Sequence, residues 1–223
     1  MIRDLFKTAL ITAMLALAGC TTHVAWNQKL TVEVSTPDGV KSGSSVVGFS
    51  ASIGQQFASS SAFSYSVTGE ATVVEVAPGK YLFALLDGAN ELGRATFENQ
   101  LPQGTVEDRY QVLEKIRGKA DVPRDHYPML VTFADINDPK TVHEMKPDQV
   151  SSIFGAGYSL KSITLEITDE PITEGKVESV LGWIKSVKGR LKPIHEPIPV
   201  NYKPIPKGEV NEGSSHFTNS KPG

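Results

Sequence analysis

The chemistry-bearing residues of this chain are few, and the densest set is Asp135-Ile136-Asn137-Asp138-Pro139. Its carboxylates and amide are hard oxygen donors of the kind calcium prefers. Asp135, Asn137 and Asp138 are therefore candidate metal ligands. Pro139 and Lys140 stand where an EF-hand needs a ligand and a glycine, so that loop type is excluded. The alternative is a plain turn after a strand, because Asp, Asn and Pro satisfy turn backbone locally.

The other reactive types do not assemble into a motif. His143-Glu144 and His195-Glu196 lack a second histidine at helical spacing, so no zinc-protease pattern is present. His126 and His143 flank an apolar run, Met129 to Phe133, and read as loop histidines. There is no Gly-x-Ser-x-Gly elbow for a nucleophilic serine. Gly155-Ala156-Gly157 lacks a third glycine and reads as a helix stop and turn, not a dinucleotide loop. The formal net charge of −3 is evenly spread, which argues against nucleic acid as a partner. A single cysteine, Cys20, leaves no internal disulfide to hold the fold.

The elements that must position these groups are mostly strands. Leu30, Val32 and Val34 alternate with Lys29, Thr31, Glu33 and Ser35, the period of a half-buried strand. Thr36-Pro37-Asp38-Gly39 is a turn. Further strands are expected over 45–53, 63–67, 70–77, 91–97, 129–133 and 160–167. The apolar run Tyr81 to Leu86 fits a strand buried on both faces, with a helix as the alternative. Thr105-Val106-Glu107-Asp108 opens a helix through a capping box. Shorter helices are expected over 147–154 and 176–187. The fold class is thus α+β: a β-rich, sandwich-like domain with two or three short helices in the C-terminal half.

The N-terminus carries an address. Arg3 and Lys7 precede an apolar run, Ala9 to Ala18, too short to span a bilayer. With Leu17-Ala18-Gly19-Cys20 this resembles a bacterial lipoprotein signal peptide and lipobox. The resemblance implies cleavage between Gly19 and Cys20, a diacylglycerol on the Cys20 sulfur and acylation of the new amine. Several acyl chains anchor a protein stably where one does not. Thr21, in place of an aspartate, favours the outer membrane by resemblance to the enterobacterial sorting rule. The expected organisation is a signal peptide over 1–19, a lipid tether over 20–25, a globular domain over 26–190 and a Pro-rich, then disordered tail over 191–223.

Two wider likenesses follow. Tyr127 to Pro139, Phe154 to Gly157, Leu160 to Thr168, and Trp26 to Val34 with Gly43 to Val47 together resemble a family of small uncharacterised proteobacterial proteins, many with lipoprotein signals. That family implies no activity and no catalytic residues. Gly43 to Val47 with Pro78-Gly79-Lys80-Tyr81 resembles prealbumin-like β-sandwich modules, and Asp135 to Asp138 resembles the calcium linkers of cadherins. The expected function is a non-enzymatic envelope protein, lipid-anchored and facing the periplasm. Its partner would be another envelope protein or a peptidoglycan-associated component, and it would need no cofactor. The alternatives are a calcium- or small-ligand-binding module and a hydrolase with a site assembled from distant residues.

Overall fold

The computed structural model describes residues 21–54 and 63–187, and the backbone of 218–219. Two antiparallel sheets carry the fold. The larger has six strands in the order β10-β3-β2-β1-β9-β6, and the smaller has four in the order β4-β5-β7-β8. The larger comprises β1 (Thr21–Thr36), β2 (Gly39–Gly54), β3 (Phe63–Glu70), β6 (Gly118–Asp121), β9 (Ser159–Thr168) and β10 (Thr218–Asn219). The smaller comprises β4 (Thr72–Ala77), β5 (Lys80–Ala84), β7 (Leu130–Phe133) and β8 (Val142–Met145). The β-rich α+β class expected from the sequence is what the chain adopts.

β1 and β2 form one long hairpin, paired from Thr36 and Gly39 at the turn to Thr21 and Gly54 at the open end. The alternation read at Leu30, Val32 and Val34 extends back through Gln28, Trp26 and Val24, all buried. Residues 21–25 are therefore sheet and not a tether, and the globular domain includes them. The reason is pairing: Thr21 to Ala25 lie against Ser50 to Gly54, and Val24 enters the core.

The main core lies between the inner face of the large sheet and one face of the small one. Val32, Val34, Phe49, Leu165 and Ile167 meet Val74, Leu82, Leu130 and Met145 there. A second cluster covers the other face of the small sheet, where Phe83, Val131 and Val142 pack on Val177, Leu181 and Ile184. The run at Tyr81–Leu86 is thus a strand as far as Ala84, with Leu82 in one cluster and Phe83 in the other. This is the physical meaning of an apolar run that does not alternate.

The helices are short: α1 (Ala89–Thr96), α2 (Val106–Leu113), α3 (Val150–Phe154) and α4 (Lys176–Val180). α1 replaces the strand expected over 91–97. Gly88 takes a positive φ of 76° at its start, and Ala89, Leu92 and Gly93 turn inward at helical spacing. Gln28, 1% exposed, ties α1 to β1: its Nε2 donates to the Ala89 carbonyl at 2.8 Å, and its Oε1 accepts from Trp26 Nε1 at 3.2 Å. α2 has the expected capping box, Thr105 and Asp108 each bonding the other's backbone N–H. The helix expected over 176–187 is split into α4 and a 3₁₀ turn, Ile184–Ser186. At the start of α4 the Glu70 carboxylate, 3% exposed, accepts from the N–H groups of Lys176 and Val177.

The tail expected over 191–223 lies outside the described residues except for Thr218–Asn219. Those two pair with Glu70 and Gly69, so this part of the tail is sheet backbone and not disordered.

Candidate functional site

Three places bear on function: the Asp135 loop, a cleft beside β1, and the open end of the β1–β2 hairpin. In the loop, Asp135 Oδ1 accepts from the Asn137 backbone at 2.9 Å, and Asp138 Oδ1 from Lys140 N–H at 2.9 Å. Asp138 thereby caps the 3₁₀ turn Pro139–Thr141. The Thr141 hydroxyl donates to the carbonyls of Asp135 and Asp138, both at 2.8 Å. Each carboxylate already has a backbone donor, as an Asx-type turn requires. Among the described residues, no group of three or more His, Cys, Asp or Glu side chains could hold a metal ion.

Among the described residues, the histidines are not brought into one site. His126 is exposed and faces its neighbour Asp125 at 3.1 Å, a bond that holds the Asp125 carboxyl below its usual range. His143 is not a loop residue. It lies in β8 opposite Thr132 and is buried, because both faces of the small sheet are covered, with Val142 in one core cluster and Met145 in the other. Four residues are too few for a two-residue period to stand out, so the sequence offered little signal of this strand.

The cleft encloses about 400 Å³ and is lined by Ala25, Trp26, Asn27, Glu114, Arg117 and Asp169, among others. It exists because β9 stops pairing with β1 at Asn27, leaving the rest of that β1 edge without a strand. α2 covers the gap. The N–H of Ala25 donates to Glu114 Oε1 at 3.0 Å, and the Thr22 hydroxyl donates to Glu107. Arg117 spans the rim, bonding Asp169 Oδ1 at 3.0 Å and the Glu114 carbonyl at 2.9 Å. Trp26 lines the cleft while its ring packs on Phe49 and Tyr110.

The open end of the hairpin carries an aromatic cluster that no sequence spacing announced. Trp26 lies 4.3 Å from Phe49 and 5.6 Å from Tyr110, centroid to centroid. Tyr65 stacks on Phe49 at 6.1 Å, and Phe63 lies 6.0 Å from Tyr110. The register explains the gathering: Trp26 pairs with Phe49, Ala51 with Tyr65 and Ile53 with Phe63, so all project from one face. Burial pushes the Tyr110 phenol above its ordinary value. Toward β3 the cover runs out, leaving Phe63 41% and Tyr65 51% exposed.

Gly19 and Cys20 lie outside the described residues; the described chain starts at the next residue, Thr21. No helix among the described residues is long and apolar enough to cross a membrane. No family model, curated protein or solved structure matches this chain.

Proposed function

We propose that this chain is a lipoprotein of the bacterial cell envelope, held to the membrane through acylated Cys20. Its folded domain faces the periplasm and acts by binding another envelope component instead of by catalysis. The observation that supports this best is how near the described sheet comes to Cys20. β1 includes Thr21, one peptide bond after the cysteine of the Leu17–Cys20 box, and runs through the middle of the large sheet. A lipid on Cys20 therefore pulls on a strand paired along its whole length with β2.

Metabolic labelling with a palmitate analogue tests the anchor. The wild-type chain takes up label and fractionates with membranes, and Cys20→Ser does neither. An unlabelled wild-type chain, or a Cys20→Ser chain that stays on membranes, overturns the anchor. The binding role fails if the purified protein turns over hydrolase substrates and a single polar substitution abolishes that turnover.

The small-ligand alternative has one observation in its favour, the cleft of about 400 Å³ beside Arg117 and Asn27. The Asp135 loop has less, because its carboxylates are engaged in the turn. Calorimetric titration with calcium separates them. Heat and thermal stabilisation that disappear in Asp135→Asn would restore the loop as a calcium site.

A further inference from the structure

We infer that the exposed aromatic end of the large sheet is a membrane seat: a surface that rests in the lipid interface beside the anchor and fixes the domain's orientation. This rests on acylation of Cys20. Phe63, Tyr65, Val106 and Val40 are the exposed large apolar residues of the described chain. All but Val40 stand at the open end of the hairpin, where the chain continues to Cys20.

The register gives the distances. Thr22 pairs with Ile53, and Ile53 pairs with Phe63. Two strand spacings place the Phe63 backbone about 10 Å from that of Thr22. Tyr65 follows on the same face, its ring 5.9 Å from that of Phe63. Val106, 51% exposed, opens α2 one turn before Tyr110, which touches Phe63. The bond from Thr22 to Glu107 holds this turn of α2 against the start of β1.

One extended residue reaches at most about 3.6 Å, so an acylated Cys20 holds Thr21 at the level of the lipid headgroups. Groups about 10 Å to the side are held at that level too. Rings with one apolar body and one polar tip, as in Tyr65, suit that boundary. The acidic groups described at this end, Glu107, Asp108 and Glu114, are turned to Thr22, Thr105 and Ala25, so the seat relies on apolar contact and not on anionic lipid. Val40 stands just past the hairpin turn, some 15 residues along β1, about 50 Å away by strand rise. The domain therefore stands on its aromatic end with the Thr36–Gly39 turn directed away from the membrane.

Because Cys20 is the only cysteine, a second one can be labelled selectively. The test uses the full chain, acylated in cells and reconstituted into vesicles of phosphatidylethanolamine and phosphatidylglycerol. A nitroxide is placed at Tyr65→Cys, at Val106→Cys or, as the distal reference, at Lys41→Cys. Labels at 65 and 106 are expected to be several-fold less accessible to an aqueous nickel reagent than the label at 41, while remaining open to oxygen. Raising the phosphatidylglycerol fraction should leave that contrast unchanged. Using two seat positions guards against one variant failing to fold.

Protein that is in the vesicles but equally wet at all three positions overturns the seat and leaves the anchor standing. Protein that is not acylated and does not associate with vesicles overturns both. Shielding seen in native envelopes but lost in vesicles assigns the patch to a protein partner and overturns the seat.

Discussion

The two ends of the β1–β2 hairpin solve the same packing problem in opposite ways. At the open end, Trp26, Phe49, Tyr65 and Tyr110 fill space with large rings and leave some of that surface uncovered. Toward the turn, space is removed instead. At Gly43 in β2 the small sheet approaches so closely that an added Cβ would sit 1.9 Å from the Val73 carbonyl oxygen. Ser45 and Thr72 join across the same approach through their hydroxyls at 2.6 Å. One strand pair can thus be braced by bulk at one end and by the lack of a side chain at the other. Among the described residues the bulky end leaves the larger apolar surface, Phe63, Tyr65 and Val106, against Val40 alone near the turn.

The comparison breaks most visibly at the ring end. Trp26→Ala empties a buried site and orphans Gln28 Oε1, so unfolding in urea should show a loss of about 3–5 kcal/mol. If the loss is under about 1 kcal/mol, comparable to a surface change, the rings are not what braces that end.

Gly43→Ala tests the other end. The new methyl must push β2 away from β4, and overpacking of this kind costs about 1–3 kcal/mol. Chemical shifts that change at Val73 and Thr72 but not at Trp26 would keep the two ends independent.

Thr105→Ala removes the cap of the helix that covers the ring end. A loss of about 1 kcal/mol is expected. It should come with faster amide exchange over Val106–Tyr110, while Gly43 stays protected.

The mildest lever is acid. Thr105 donates to the Asp108 carboxylate from both its hydroxyl and its N–H, and these bonds hold Asp108 below the usual carboxylate range. The folded value lies below the unfolded one, so this contribution is complete above the unfolded pKa. It is lost as pH falls through the folded pKa. In a melting-temperature series taken downward from neutral pH, Asp108→Asn should flatten part of the acid limb. An unchanged acid limb would remove Asp108 from the account of that end.

Much of the fold could be read from the chain because local physics and tertiary physics agree there. The alternation at Leu30, Val32 and Val34, the turn at Thr36–Gly39 and the Thr105–Asp108 box each describe an arrangement of neighbouring atoms, and each is present. Ala89–Thr96 was harder. Eight residues are too few for helical spacing to stand out, and the deciding contacts, Gln28 to Ala89 and Gly93 against Leu113, cross long stretches of sequence. His143 was misplaced for a similar reason: a four-residue strand is set by its partner β7 more than by its own pattern. At the candidate sites, the Asp135 loop was visible as a cluster of polar atoms, but its hydrogen bonds within the turn were not.

The sequence by itself determined the lone cysteine and its box, the two-residue period of the central strands and the capped start of α2. All of these depend on residues within a few positions of one another. Tertiary structure alone decided that residues 26, 49, 63, 65 and 110 would meet, and that they would meet beside Thr21. The physical reason is register. A slip of one residue between β2 and β3 would have turned Phe63 and Tyr65 to the other face of the sheet. That choice is made by the whole core at once.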